Sequence, residues 1–144
     1  MADNTIVELA TAECHDLLGR HHFGRLGFMD QVGVMPMIIP VNYLFHGDRV
    51  VFRTDPGSKL TAALHEAPVA FEVDGIDEQQ QTGWSVVVRG HVEAVTDAAE
   101  RAQLDETPLV AWAPGAKPHY VRVLPRLVTG RRVSLHHLPS HWWG

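Results

Sequence analysis

Arg53, Thr54, Ser58 and Lys59 fall within seven residues of one another, in the segment Phe52-Arg53-Thr54-Asp55-Pro56-Gly57-Ser58-Lys59-Leu60. A strand is predicted to end in a cation and a hydroxyl, and Asp55-Pro56-Gly57 to turn the chain. Proline presets φ in such a turn, and glycine accepts the positive φ. A short helix is expected from about Ser58 to Glu66, with Leu60, Ala63 and Leu64 on its inner face. Backbone N–H groups at a helix start lack internal partners and sit at the positive end of the dipole. Such a place suits phosphate. Thr54 and Ser58 add hydroxyl donors, Arg53 a planar fork and Lys59 a mobile point charge. The same residues also fit a plain turn, a helix cap at Ser58 and two solvated cations, and Asp55 would repel an anion. Both readings stand at this level.

A phosphorylated small molecule needs a wall for its remaining atoms. Met35 to Phe45 reads as one long, unusually apolar strand. Met37 to Tyr43 is expected to pair in register with Arg49 to Thr54 through a hairpin loop at His46, Gly47 and Asp48. A planar ring could then lie along this strand, its polar edge met by the N–H of Val41 or Asn42. A plain core strand is the alternative. Pro36 and Pro40 cannot donate to a ladder, so the strand needs an edge, a bulge or a ligand beside it.

The elements that position these residues read as mostly β. A helix is predicted near Thr11 to Arg20, capped by Thr11 and broken by Gly19, with Ala10, Cys14, Leu17 and Leu18 on one face. From Phe23 the period changes to two, with Leu26 and Phe28 alternating with Arg25 and Gly27. Val69, Phe71 and Val73 form another strand, and Gly75 to Thr82 a loop. Trp84 to Gly90 and His91 to Thr96 are two strand segments, or one strand bent at Gly90. Asp97 with Glu100 opens a helix to about Glu106. A Pro/Trp-containing loop covers Pro108 to Pro118. His119 to Leu124 and Leu127 to Val133 are the last two strands. About seven strands with tight turns and two or three short helices argue for an antiparallel, closed or nearly closed barrel.

The chain has 144 residues, 45% hydrophobic and 20% charged, which fits one domain over 1–144 with tails at 1–9 and 134–144. No internal repeat or linker divides it. Its longest apolar run, Met35 to Val41, is far too short for a membrane helix. The N-terminus lacks a basic-then-apolar export pattern. Cys14 is the single cysteine, so no intrachain disulfide forms, and a reducing, cytoplasmic location is expected. Net charge is −5. That balance, with no basic stripe interleaved with aromatics, argues against nucleic acid and anionic membranes as partners. Ten histidines invite a metal. The adjacent pairs His21-His22 and His136-His137 point to opposite faces if extended, and Pro139 separates His137 from His141, so no metal site is assigned. Trp142 and Trp143 are expected to dock on the body or on a partner subunit.

Taken together, Met37-Ile38-Ile39-Pro40-Val41-Asn42-Tyr43, Val50-Val51-Phe52-Arg53-Thr54 with Gly57-Ser58-Lys59-Leu60, Val69-Ala70-Phe71-Glu72-Val73-Asp74, and Thr82-Gly83-Trp84-Ser85-Val86-Val87-Val88-Arg89-Gly90 resemble the pyridoxamine 5′-phosphate oxidase-like flavin-binding split barrels. They are especially similar to the small nitroimidazole-resistance-type branch, and the match runs from about Cys14 to Val133. The resemblance implies a mainly β fold, an antiparallel Greek-key split barrel with a few short helices. It implies a homodimer with an FMN in each groove between subunits. Arg53, Thr54, Ser58 and Lys59 would hold the FMN phosphate, and Ile39, Pro40, Val41 and Asn42 would flank the isoalloxazine. Trp84 and Ser85 would reach the flavin bound mainly by the other subunit, and Trp112 would cover the ring. The C-terminal segment lacks a convincing match to the part of full-length pyridoxamine phosphate oxidases that reads pyridoxine, although Arg131 and Arg132 lie there. The function implied is an FMN-dependent oxidoreductase of a small molecule, with no catalytic side chain named. A deazaflavin-dependent reductase and a non-enzymatic flavin or haem carrier or sensor are the alternatives; the sequence carries no positive sign of haem.

Overall fold

The computed structural model describes residues 6–30, 35–55, 57–65, 67–109 and 119–134. The strands are β1 (Ile6–Glu8), β2 (Phe23–Met29), β3 (Pro36–Asn42), β4 (Leu44–His46), β5 (Arg49–Thr54), β6 (Pro68–Asp77), β7 (Thr82–Ala94) and β8 (His119–Ser134). Three helices accompany them among the described residues: α1 (Thr11–Arg20), α2 (Lys59–Leu64) and α3 (Ala98–Asp105). All strand pairs are antiparallel, in the order β3-β2-β6-β7-β8-β5-β4, with β1 on a free stretch of β8.

The order dictates the shape. Laid flat, β3 and β4 would stand roughly 29 Å apart, at about 4.8 Å per strand. Only Tyr43 separates them in sequence, and two Cα steps span at most about 7 Å. The sheet must therefore roll until its ends meet. Inward residues fill the roll: Leu26, Val41, Val50, Phe52, Val69, Phe71, Val73, Val86, Val88, Val92, Val121 and Val123, with Cys14 and Leu18 of α1 closing one end. Val51, Val95, Leu104, Leu109 and Tyr120 make a smaller outer cluster under α3.

Several expectations need correction. Residues 35–45 form two strands, not one, because Tyr43 is a pivot. Its N–H donates to the His22 carbonyl (2.9 Å), its hydroxyl to the Leu18 carbonyl (2.7 Å), and its ring stands edge-on to Phe71. The expected pairing of Met37 to Tyr43 with Arg49 to Thr54 is not formed. Only Leu44–His46 pairs with Arg49–Val51, across the Gly47-Asp48 turn with φ near +59° at both residues, whereas β3 pairs with β2 from Phe23↔Asn42 to Met29↔Pro36. β3 is an edge strand, as Pro36 and Pro40 require.

β6 and β7 run into the expected loop and turn only at 78–81. β7 is one strand bent at Gly90, as the second of the two expected readings has it, and β8, expected as two strands, is also continuous. Their bulge at Arg89/Gly90 explains the apparent breaks, because an offset pairing bends a strand without ending it. Residues 6–8, expected as tail, form a strand on β8, which raises the strand count to eight. Ala10, not Thr11, occupies the cap position of α1, with no side-chain cap bond, and Gly19 lies inside that helix. α3 begins as expected, the Asp97 carboxylate accepting from the Glu100 N–H (2.9 Å). Residues 110–118, expected as part of a loop and including Trp112, and those beyond Ser134, expected as a tail, lie outside the described residues.

Candidate functional site: a split between β3 and β5

The ladder between β4 and β5 stops at Leu44↔Val51. Continued by two and three more steps, it would have set Asn42 opposite Arg53 and Val41 opposite Thr54. Instead β3 leaves with β2, and Phe52–Thr54 pairs only with β8. β3 and the end of β5 thus border an open seam. Each keeps an edge without a strand partner, and α2 follows at its end. Ile39, Pro40, Val41 and Asn42 lie on one bank, and Arg53 and Thr54 on the other.

Strand alternation sends Arg53 and Thr54 to opposite faces. Arg53 points outward. Its Nη1 donates to the Leu109 carbonyl (3.2 Å), its guanidinium lies 6.0 Å from the centre of the Tyr120 ring, and its Nε is buried without a partner. Burial and a hydrogen bond to Asp105 push the Tyr120 hydroxyl up to about 12. Leu109 also borders a cavity of about 290 Å³ with His22, Asn42, Tyr43, Leu44 and Pro108. Asn42 and Arg53 therefore meet around Leu109 on the outer side of the seam.

Thr54 points inward and is 4% exposed, and its Oγ1 has no partner. It lines a cavity of about 230 Å³ with Thr61, His65 and His119, the last its cross-strand neighbour. Lys59 is exposed on the other side of α2. With Leu60 and Ala63 it faces Phe28, Met37 and Ile39 across a groove of about 410 Å³, which Asp30 also borders. An apolar floor with a cation at one end has the size and make-up of a site for a planar, phosphorylated ligand.

Ser58 serves as the cap of α2. Its Oγ accepts from the Thr61 N–H (3.1 Å) and donates to Thr61 Oγ1 (3.0 Å), which in turn donates to the Asp55 carbonyl (2.7 Å). Gly57 takes φ +85°, as the turn requires. The expected four-residue cradle is thus spread over three surroundings. Lys59 shares its groove with Ile39, Thr54 faces a second cavity, Arg53 is tied to Leu109, and the Ser58 hydroxyl is occupied. Trp84 and Ser85 line none of these three cavities. Trp84 stacks on His21 with ring centres 4.9 Å apart and lies over Gly75, and Ser85 pairs with Asp74 and Arg131. Sequence reading missed Phe28, Leu60 and Ala63 as groove walls, although the strand period and the Lys59/Ala63 helical spacing mark them. Nothing local marks His119 or Leu109, which long-range pairing brings in.

Beside the β3 bank, Arg25 is in register with Pro40 and pairs with Glu72 (3.2 Å) and Asp74 (2.6 Å). Burial first, then a hydrogen bond that its protonated form donates to Asp74, hold the Glu72 carboxyl above its ordinary range. Among the described residues no group of three or more His, Cys, Asp or Glu side chains is placed to hold a metal, and no helix is long and apolar enough to cross a membrane.

A rolled antiparallel sheet with an open seam beside a short helix is the architecture of the flavin-binding split barrels. The chain belongs to the pyridoxamine 5′-phosphate oxidase family, whose model matches residues 10–132. Among curated proteins it is 35% identical over 133 residues to the uncharacterized protein Rv0080 of Mycobacterium tuberculosis, covering 89% of this chain and 86% of that one. Among solved structures it is similar to the FAD binding protein of Mycobacterium smegmatis, with 38% identity, a TM-score of 0.77, and 89% of this chain and 98% of that one covered. An FAD-binding protein of Mesorhizobium loti matches at 26% identity and a TM-score of 0.73, covering 90% and 99%.

Proposed function

We propose that the chain is a flavin-dependent oxidoreductase of a small molecule, working in a reducing, cytoplasmic compartment. The observation that carries this reading is the groove joining Lys59 to Phe28, Met37, Ile39, Leu60 and Ala63 beside the open seam. Ile39, with Pro40 to Asn42 further along β3, would flank the ring. Lys59 would meet the phosphate; Arg53 and Thr54, each with a buried polar atom in want of a partner, lie outside this groove, one beside Leu109 and the other in the cavity with His119. Flavin, when bound, supplies the electron transfer, while the protein orients it and excludes side reactions.

FMN matches the short phosphate-binding set of the sequence. FAD, named for two of the solved relatives, carries the same ring and first phosphate. Deazaflavin remains the alternative within the fold. A flavin or haem carrier is the non-enzymatic one, and oxidation of NADH or NADPH with a candidate acceptor separates enzyme from carrier.

Fluorescence titration of the purified chain with FMN, FAD and a deazaflavin, beside Lys59→Ala, tests the assignment. Tenfold or greater weakening of flavin in the variant is expected, with unfolding unchanged because Lys59 is exposed. Equal affinity in the two proteins would remove the groove from the account.

The dimer is part of the same proposal. Alternation on β2, β3, β6 and β8 puts Met29, Ile38, Ile76 and Leu127 on the outer face, and all four are exposed, Ile38 at 73%. A second copy laid on this face would cover that surface and bring its Ser85 beside the seam.

A further inference from the structure

Cavities lie on both faces of α2. Lys59, Leu60 and Ala63 look onto the groove beside β3, whereas Thr61, Leu64 and His65, at helical spacing, border the cavity of about 230 Å³ that Thr54 and His119 also line. This second cavity sits at the end of the roll away from α1. Cys14 of α1 packs near Gly130, late in β8, while His119 opens that strand. Its strand walls, Val92 and Val121, belong to the inner core, so it lies off the outer face that carries Ile38, Ile76 and Leu127.

Thr54 carries the argument. Its side chain is buried in this wall, and its Oγ1 has no hydrogen-bond partner. Native proteins seldom keep a buried hydroxyl in that condition, because its lost hydration is not repaid. Register places His119 directly opposite Thr54, so the two side chains leave the same face with Cβ atoms about 5 Å apart. A hydroxyl and an imidazole N–H thus stand side by side, spaced for two oxygens of one group. His65, exposed on α2, adds a second imidazole at the rim. Leu64, Val92 and Val121 supply buried apolar wall. Glu93 also borders the cavity, but its carboxylate is already held by Arg122 (2.7 Å) and Arg49 (3.7 Å).

We propose that this cavity binds a small monocarboxylic acid with an apolar tail. Its carboxylate accepts from the Thr54 hydroxyl and the His119 imidazole, and its tail lies against Leu64, Val92 and Val121. A doubly charged phosphate would want a guanidinium or ammonium, and among the described residues none lines the cavity. The site does not rest on the flavin reading, and it gives Thr54 a ligand of its own.

Proton NMR titration of the whole chain at fixed pH with acetate, butyrate and hexanoate, read on the His65 and His119 ring signals, tests the proposal. Saturable shifts are expected, with affinity rising about fourfold for each methylene buried. Thr54→Val should weaken hexanoate tenfold or more without lowering the urea midpoint, since the swap removes an unsatisfied hydroxyl. Thr54→Ser, which keeps the hydroxyl, should bind hexanoate as the parent does. Saturating FMN should leave the titration unchanged. A chain that takes up no flavin yet binds hexanoate would sustain this site while removing the flavin reading. No saturable shift, equal affinity in Thr54→Val, 1-hexanol binding as tightly as hexanoate, or displacement of hexanoate by FMN would each overturn it.

Discussion

Gly90 has no room for a side chain, because a Cβ there would collide with the Leu124 carbonyl oxygen beside the β7–β8 bulge. Gly90→Ala should cost about 1–3 kcal/mol, the usual range for forcing atoms into a filled site, read as a lower urea midpoint. Cys14 is fully buried, and burial first, then the neighbouring Glu13 charge, raises its thiol pKa. Native protein should accordingly resist thiol reagents that label it at once after unfolding. Tyr120 carries a pH signature. Its hydroxyl is raised from 10 to about 12 by burial and then by Asp105, so between those values the unfolded chain has released a proton that the folded one still holds. Stability is whole below pH 10 and falls as pH rises towards 12. Tyr120→Phe should flatten that fall in alkaline unfolding curves, and an equally steep curve would refute the linkage. The residue types marked a candidate anion cradle, but not how the chain would arrange them. The two-residue strand period already parts Arg53 from Thr54, and Ser58 spends its hydroxyl on Thr61.

Elements were legible where periodicity was strong and misjudged where pairing decided. α1, β2, β6 and α3 lie close to where alternation and capping place them. The bend of β7 at Gly90 was one of the two readings that alternation allowed, whereas β8 looked broken at Pro125 yet continues because a bulge absorbs the offset. The Met35 to Phe45 run is apolar throughout, so its division at Tyr43 rests on bonds to His22 and Leu18, which lie far off in sequence. The docking of α3 is testable at this scale. Arg122 on β8 reaches Glu93 on β7 (2.7 Å) and Glu100 on α3 (2.6 Å), lying between sheet and helix. Arg122→Ala should cost about 1–2 kcal/mol, modest because both carboxylates keep access to water. Amide exchange should speed up first in α3, and a uniform change across the sheet would contradict this role.

Closure of the whole molecule follows from one linker: a single residue joins the two ends of a seven-strand path, so the sheet rolls and leaves a seam. No local pattern reveals that, because it depends on the complete strand order. Family resemblance conveyed the fold where periodicity alone reached only an antiparallel barrel. The outer face is testable as a subunit contact. Ile38→Asp should convert a dimer to a monomer in light scattering and weaken flavin retention, whereas an unchanged mass would detach Ile38 from any interface. The central claim is that the seam and its Lys59 groove hold a flavin. It is tested most directly by the visible spectrum of the purified chain, taken with the mass of whatever it releases on denaturation. The account predicts a yellow protein that releases FMN or FAD, or a colourless one that either flavin saturates at one per chain. A colourless protein that neither flavin saturates would contradict it.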